Sequence, residues 1–425
     1  AILIHIYHKF TEIYSTRTFM IGISKLINRI QEYVWGSKTA IAELMGYPTP
    51  SPKPQAELWM GAHPKAPSEV LLNNDRISLI ELIKKDPNAI LGKSTSRKFS
   101  GSLPFLFKVL AAGEPLSIQA HPTVQQARDG FRRENSENIP MDAYERSYKD
   151  QNHKPEIISA LTPFWAMNGF RPVVEMLNIL NEISFQSITK EINDFQKTSD
   201  ANGLRYFFAL LMNLPKDRKE KTVAETVRWA EKETNKEIPE FENISRWILK
   251  LNEKYPGDIG VLSPVILNLV LLNPGEAMFT HAGVLHAYLE GVGIELMANS
   301  DNVLRGGLTE KYIDVRELLR ILDYSSTEFR KIPVITLPNG EMLYVSPAQE
   351  FTLSRIDVKK NDEYTSAEKR SVEIVICIEG GCAIHEEGKS ETIDISKGDS
   401  ILIPACVSRY AIKGAGRLFK ASVPL

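Results

Sequence analysis

The spacing of apolar and polar positions changes twice along the chain and divides it into three textures. Over 26–171, short apolar runs are punctuated by Pro, Gly and Asn, as in "LPFLFKVLAAGEPLSIQAHP" and "HKPEIISALTPFWAMNGFRP". Runs of that length bounded by turn residues predict short strands, with helices such as 38–45 and 78–85 among them. Over 172–255, "VVEMLNILNEI", "LRYFFALLMNL", "TVAETVRWAEKETNK" and "ISRWILKLNEK" place apolar residues three and four apart among charges. That is the amphipathic-helix period, met four times, and "YPGDIG" ends it with a Pro-Gly turn. Strand texture returns at "VILNLVLLNPGEAMFTHAGVLHAYLEG" and, past a linker near 323–331, runs to the end.

The tail "SVEIVICIEGGCAIHEEGKSETIDISKGDSILIPACVSRYAI" alternates apolar and polar residues, with turns at "EGG", "EEGK" and "SKGD". Such a pattern predicts an all-β sandwich or barrel, and "GDSILIPA" resembles the last strands of a cupin jelly roll. The expected fold is therefore mainly β with an inserted all-α domain. The expected boundaries are 1–25 as an N-terminal extension, 26–171 plus 260–322 as the site-bearing β domain, 172–259 as the helical insert and 323–425 as the C-terminal β domain.

Composition narrows the partners. The chain balances 51 Lys+Arg against 53 Asp+Glu, so it has no basic footprint for nucleic acid or an acidic membrane. No apolar run reaches the ~18 residues of a membrane-spanning helix. Cys377, Cys382 and Cys406 are too few and too irregularly spaced for a disulfide framework, and reduced thiols in a cytoplasmic protein are expected. The opening "AILIHIYHKFTEIYSTRTF" lacks an initiator Met and a cleavage site. Met20 is the expected natural start, with 1–19 as upstream sequence or a poorly ordered extension.

Without a CxxC pair, a metal site here has to use His, carboxylate or amide oxygen. Gln119 and His121 in "LSIQAHP" are two apart, and in a strand both would face one side. In "THAGVLHAYLEG", His281 falls in a turn, whereas His286 alternates with Tyr288 and Glu290. His63, His121, His153, His281 and His286 are the candidates, with a carboxylate drawn from "YKDQNHKPE". Zn, Fe(II) and Mn suit such a donor set about equally. "GIELMANSDNVLRGGLTEK" gathers Glu295, Asp301, Arg305 and Lys311, either as a site or as a solvated charged loop. No G-x-x-x-x-G-K-[ST] or G-x-G-x-x-G fingerprint supports ATP or NAD use.

From about Ile27 onward the chain resembles the type I phosphomannose isomerases. The resemblance rests on "IQEYVWGSKTAIAELMG", "AELWMGAHPKAPS", "PLSIQAHP", "YKDQNHKPE", "GFRP", "HAGVLHAYLEG" and "IELMANSDNVLRGGLTEKYIDV", in that order. It implies two cupin-like jelly-roll β domains with the inserted all-α domain, and one zinc per chain, held by Gln119, His121, Glu156 and His286. It implies interconversion of mannose 6-phosphate and fructose 6-phosphate through an enediol, in carbohydrate metabolism. Small sugar phosphates are the expected partners, and a cytoplasmic monomer the expected form. Arg305 is the implied active-site residue, binding phosphate or stabilising the enediolate.

Further roles follow from the same resemblance. Glu295 is the favoured base on its alternation with the ligand strand, and Lys154 could replace it if burial lowered its pKa. Asp301 would orient Arg305, and His153 would help open the sugar ring. Ser117, Lys311 and Lys154 are candidate phosphate contacts. Tyr288, Trp35 and Glu57 would line the pocket, although packing explains Trp35 and Glu57 equally well. Two other readings remain: a non-catalytic sugar-phosphate sensor on the same fold, and an Fe(II) cupin oxygenase.

Overall fold

A computed structural model describes residues 21–425 except Asn73, Asn74 and Pro239. The expectations about Met20 and the segment before it lie outside the described residues. The first texture is strand-rich, as its short runs require: β1 Ser24–Ile27, β2 Arg29–Gln31, β3 Glu57–Gly61, β4 Glu69–Leu72, β5 Asp75–Ser78, β6 Phe105–Ala112, β7 Ile118–Ala120, β8 Glu156–Ala160 and β9 Phe164–Phe170. Helices α1 Ala40–Met45 and α2 Leu79–Lys85 fall where they are predicted, α2 behind a Ser78/Glu81 capping box. Three more helices stand here: α3 Pro87–Leu91, α4 Lys93–Lys98 and α5 Val124–Ser136. The periodicity does not reveal α5, because the face it buries is Ala127, Gly130 and Glu134 rather than large apolar residues.

Among the described residues the insert holds five helices rather than four: α6 Val173–Ile183, α7 Thr189–Lys197, α8 Ala201–Met212, α9 Lys216–Thr234 and α10 Glu242–Lys254. The unexpected α7 buries only Ile192 and Phe195, too thin a stripe to stand out in the sequence. Leu177, Leu180, Phe207, Trp247 and Ile248 of the insert share one core with Ile118, Met167, Phe170 and Leu285 of the β region. The insert is thus packed on the sheet by the apolar face its helical period creates.

Strands β10 Leu267–Leu272, β11 Ala277–Thr280, β12 His286–Ala298 and β13 Leu304–Gly307 follow. The short helix α11 Ser263–Ile266 leads into β10, and α12 Val315–Ile321 follows β13. The tail supplies β14 Val334–Thr336, β15 Met342–Tyr344, β16 Thr352–Val358, β17 Glu363–Thr365, β18 Glu373–Glu386, β19 Thr392–Ser396, β20 Ser400–Ile403 and β21 Tyr410–Ser422. One antiparallel sheet runs β10-β9-β12-β6-β3-β2, with β7, β8, β11 and β13 attached. The other runs β14-β15-β16-β21-β18-β20-β1-β4-β5, so the first strand among the described residues closes onto the last region. Ser24 and Lys25 pair with Leu402 and Ile401, which puts the end of the expected N-terminal extension inside this sheet.

Strand β12 carries an irregularity that matters for function. Tyr288 opposes Ala166, but Glu290 opposes Trp165, so one extra residue enters the strand. The bulge flips the alternation. Glu295 therefore shares a face with His286 and Tyr288, although nine positions from His286 would place it on the other side. Glu290, expected beside Tyr288, is turned outward and pairs with Lys250 of α10 at 2.7 Å.

Candidate active site

Directly opposed residues in an antiparallel pair project from one face. His286 of β12 opposes Asn168 of β9 and Gln119 of β7, and Gln119 opposes Arg305 of β13. Farther along β12, Met297 opposes Glu156, and Glu295 opposes Lys108, which opposes Trp59 of β3. One sheet face thus carries Gln119, Glu156, His286, Tyr288, Glu295, Arg305, Lys108 and, two residues from Trp59, Glu57. His121 lies one residue beyond the end of β7 and is fully buried.

Three of these groups converge. His121 Nε2 lies 3.2 Å from Glu156 Oε1, and His286 Nε2 lies 3.1 Å from Glu156 Oε2. The other ring nitrogens are occupied: His121 Nδ1 donates to the Asn302 carbonyl at 2.7 Å, and His286 Nδ1 to the Val284 carbonyl at 3.0 Å. A proton on each Nδ1 leaves Nε2 as a lone pair. Burial, then the Lys154 ammonium, pushes the His121 pKa down to about 4. Glu156, despite burial, is held well below the usual carboxylate range by the Lys154 ammonium. The two Nε2 lone pairs and the carboxylate therefore point acceptors at one another. His121 Nε2, His286 Nε2 and Glu156 Oε2 are buried with no hydrogen-bond partner. Such an arrangement is unfavourable without a cation, and its donors all lie within 4.8 Å of one another. The set fits a divalent metal.

Around this point stand two kinds of charge. Lys154 Nζ contacts Glu156 Oε1 at 2.8 Å. Lys108 Nζ, buried in β6, reaches Glu295 Oε2 at 2.8 Å and Glu57 Oε1 at 3.2 Å. Burial, reinforced by Glu156 and Glu57 and opposed by Lys108, raises the Glu295 pKa. Arg305 and Lys311 have no carboxylate partner among the described residues, and Arg305 Nε is buried without a hydrogen bond. Partial burial, then the Arg305 charge and Lys65, lowers the Lys311 pKa. Two cations held near each other without an anion make a receptor for one.

Other expected residues fall differently. Asp301 does not engage Arg305: its carboxylate contacts Lys65 at 2.9 Å and faces His63 at 3.7 Å. His153 Nε2 meets Glu350 Oε1 at 2.9 Å, tying the site segment to the C-terminal region. Ser117 lies half-buried just ahead of β7, and Trp35 stacks on Tyr33 with ring centres 5.7 Å apart. His281 is exposed beyond β11, as a turn residue should be. Lys108, Lys65 and Asn302 are the residues sequence reasoning passed over. A lysine inside the apolar run "FLFKVLAA" was the available signal, since a buried charge there must be paired.

Comparison with known proteins agrees with the geometry. A family model for the type I phosphomannose isomerase catalytic domain matches 23–173, one for its helical insertion domain matches 179–267, and a mannose-6-phosphate isomerase cupin domain matches 341–423. The mannose-6-phosphate isomerase of Escherichia coli (strain K12) is 42% identical over 400 residues, covering 93% of this chain and 98% of the relative.

The chain belongs to the type I phosphomannose isomerases.

The human mannose-6-phosphate isomerase is 34% identical over 88% of this isomerase and 92% of its own length. A zinc-bound mannose 6-phosphate isomerase crystal structure superposes with a TM-score of 0.87 at 39% identity, covering 95% of this chain and 100% of that one. A mutant of the Salmonella typhimurium phosphomannose isomerase gives 0.88 at the same identity and coverage. The isomerase thus has cupin-type domains with a helical insertion, and it is an enzyme. No helix among its described residues is long and apolar enough to cross a membrane.

Proposed function

We propose that this isomerase interconverts mannose 6-phosphate and fructose 6-phosphate through an enediol at one zinc ion per chain. The observation that carries the metal is the cluster of buried, partnerless acceptors on His121, Glu156 and His286. Gln119, opposite His286 in register, would add its amide oxygen as the fourth ligand. Relatives crystallised with zinc support the choice of ion. Bound there, zinc supplies a Lewis acid for the sugar oxygen on which negative charge develops.

The chain's own residues do the rest. Arg305 and Lys311 take the phosphate, because they are the neighbouring cations that lack a carboxylate. Glu295 takes the proton from C2 and returns it at C1, a transfer favoured by a carboxylate whose pKa is raised toward the working pH. Lys108 holds that carboxylate in place, and Lys154 fixes Glu156. Tyr288 is buried on the same face within the influence of Glu295, and it would border the sugar with Ser117, Glu57 and Trp35. The cysteines are all unpaired, with Cys377 and Cys382 buried, which suits a reducing compartment. We place the protein in the cytoplasm on that ground.

The test is mannose 6-phosphate turnover by the protein as isolated, after chelation, and after zinc is returned. Activity should vanish with chelation and come back with zinc, and Glu156→Gln should stay inactive at any zinc concentration. Turnover that survives complete removal of metal would overturn the reading.

A further inference from the structure

Two segments of the molecule grip each other through side chains that the proposed chemistry does not use. One is "YKDQNHKPE", which ends on Glu156; the other is "NSDNVLR", which leads into β13. Asn302 is fully buried between them. Its Oδ1 accepts from the backbone N–H of Lys149 at 2.7 Å and of Asp150 at 3.1 Å. Its Nδ2 donates to the carbonyls of Asp150 and Asn152, each at 2.9 Å, and to Asp150 Oδ1 at 3.2 Å. Asp150 answers in kind. Its carboxylate accepts from the Asp301 N–H at 2.8 Å, the Ser300 hydroxyl at 2.9 Å and the Asn152 N–H at 2.8 Å. Each segment's backbone is thus held by the other's side chain, and among the described residues no cation takes part in the clasp.

The same Asn302 offers its backbone carbonyl to His121 Nδ1 at 2.7 Å. One buried residue therefore sets the tautomer and tilt of one candidate ligand while fixing the loop that delivers another, Glu156. We propose that Asn302, with Asp150 as its counterpart, is a positioning residue that preorganises the metal centre by locking His121 and the Glu156 segment to one point. The inference rests on the metal reading above. Its physical basis is that partners behind the ligands orient them, and losing such a partner typically weakens metal binding by about 10- to 100-fold.

Asn302→Ala strands the N–H groups of Lys149 and Asp150 and the Asp150 carbonyl, whereas Asp150→Asn keeps the volume but sets an NH₂ against donors. Metal dissociation constants would be measured by competition with a chromophoric chelator, and cobalt-loaded proteins would be compared by their d–d absorption. Far-UV circular dichroism and the denaturant midpoint of the metal-free proteins would be followed alongside. Either variant should weaken metal binding at least tenfold and perturb the cobalt bands while the metal-free fold persists. In the double variant the losses should be far from additive, because both side chains belong to one clasp. If Asn302→Ala does not fold, Asp150→Asn alone decides. Metal affinity within twofold of the parent with unchanged cobalt bands, or fully additive losses, would overturn the proposal. A parent protein that binds no metal would instead overturn the metal reading.

Discussion

Lys108 stands in a strand whose 8 residues are all buried, and at that depth its charge has to be matched. The match is Glu295 on one side and Glu57 on the other, which makes Lys108 a control on the proposed base. Burial and the neighbouring carboxylates favour protonated Glu295, whereas Lys108 favours the ionised form. A base works only when ionised. kcat/KM should therefore fall on the acid side with a midpoint above the ~4.3 of an unperturbed glutamate. Lys108→Met removes the larger of the two cations, Lys108 and Lys154, that oppose the rise, so the acid limb should move to higher pH. A pH profile of the zinc-saturated variant checks this, and an unmoved limb would take the base role from Glu295. At this scale the candidate metal cluster was legible where a motif carries it: His121, Glu156 and His286 are read from their segments, and the structure brings them together. Lys108 and Asn302 were not, because their work depends on strands and loops that the sequence does not show to be neighbours. Asp301 was placed near the right residues but given the wrong partner, since Lys65 reaches it from another segment.

At the scale of elements, legibility followed the size of the buried side chains. Helices α6, α8 and α10 declare themselves through large apolar residues at helical spacing. Helix α5 does not, and its reason is Tyr148. A Cβ placed on Gly130 would stand 2.3 Å from the Tyr148 ring, so the helix buries a glycine in order to seat a tyrosine. That tyrosine opens the segment ending on Glu156; its hydroxyl donates to Glu317 and its N–H to Glu134 at 2.9 Å. Gly130→Ala separates two effects of opposite sign. Helix propensity alone would stabilise the protein by up to ~1 kcal/mol. Overpacking against the ring should cost about 1–3 kcal/mol and win. Denaturant unfolding of the metal-free protein reads the sign, and a more stable variant would show that α5 does not press on Tyr148. The bulge in β12 belongs to this scale too. Simple alternation set Glu290 beside Tyr288, and it was also the ground for choosing Glu295; nine positions from His286 that alternation would turn Glu295 away, and only the bulged register puts it on the ligand face.

The whole molecule is held by a core that ignores the expected boundary near 323. Ile41, Leu44, Leu58, Met60, Val70 and Leu79 from the first region share one apolar cluster with Tyr344, Phe351, Ile374, Leu402, Phe419 and Val423 from the last. Strand β1 pairs with β20, and the Tyr344 hydroxyl accepts from Ser159 Oγ of β8 at 2.9 Å. Texture alone separated two β regions but could not show that they bury each other, because pairings between distant strands leave no local period. Removing 323–425 would bare large apolar side chains whose burial is worth about 1.5–3 kcal/mol each. A few of them equal the ~5–15 kcal/mol that separates a folded domain from its unfolded chain. It would also leave the edge of β1 unpaired, a template for association with other chains. A chain ending at Leu322 should therefore accumulate as aggregate, although it keeps every residue proposed to touch metal or substrate. Expression of that truncation, with soluble yield and turnover measured together, decides the matter. Soluble, active protein would mean that the first region closes its own core, and the C-terminal region would then need a role other than stability.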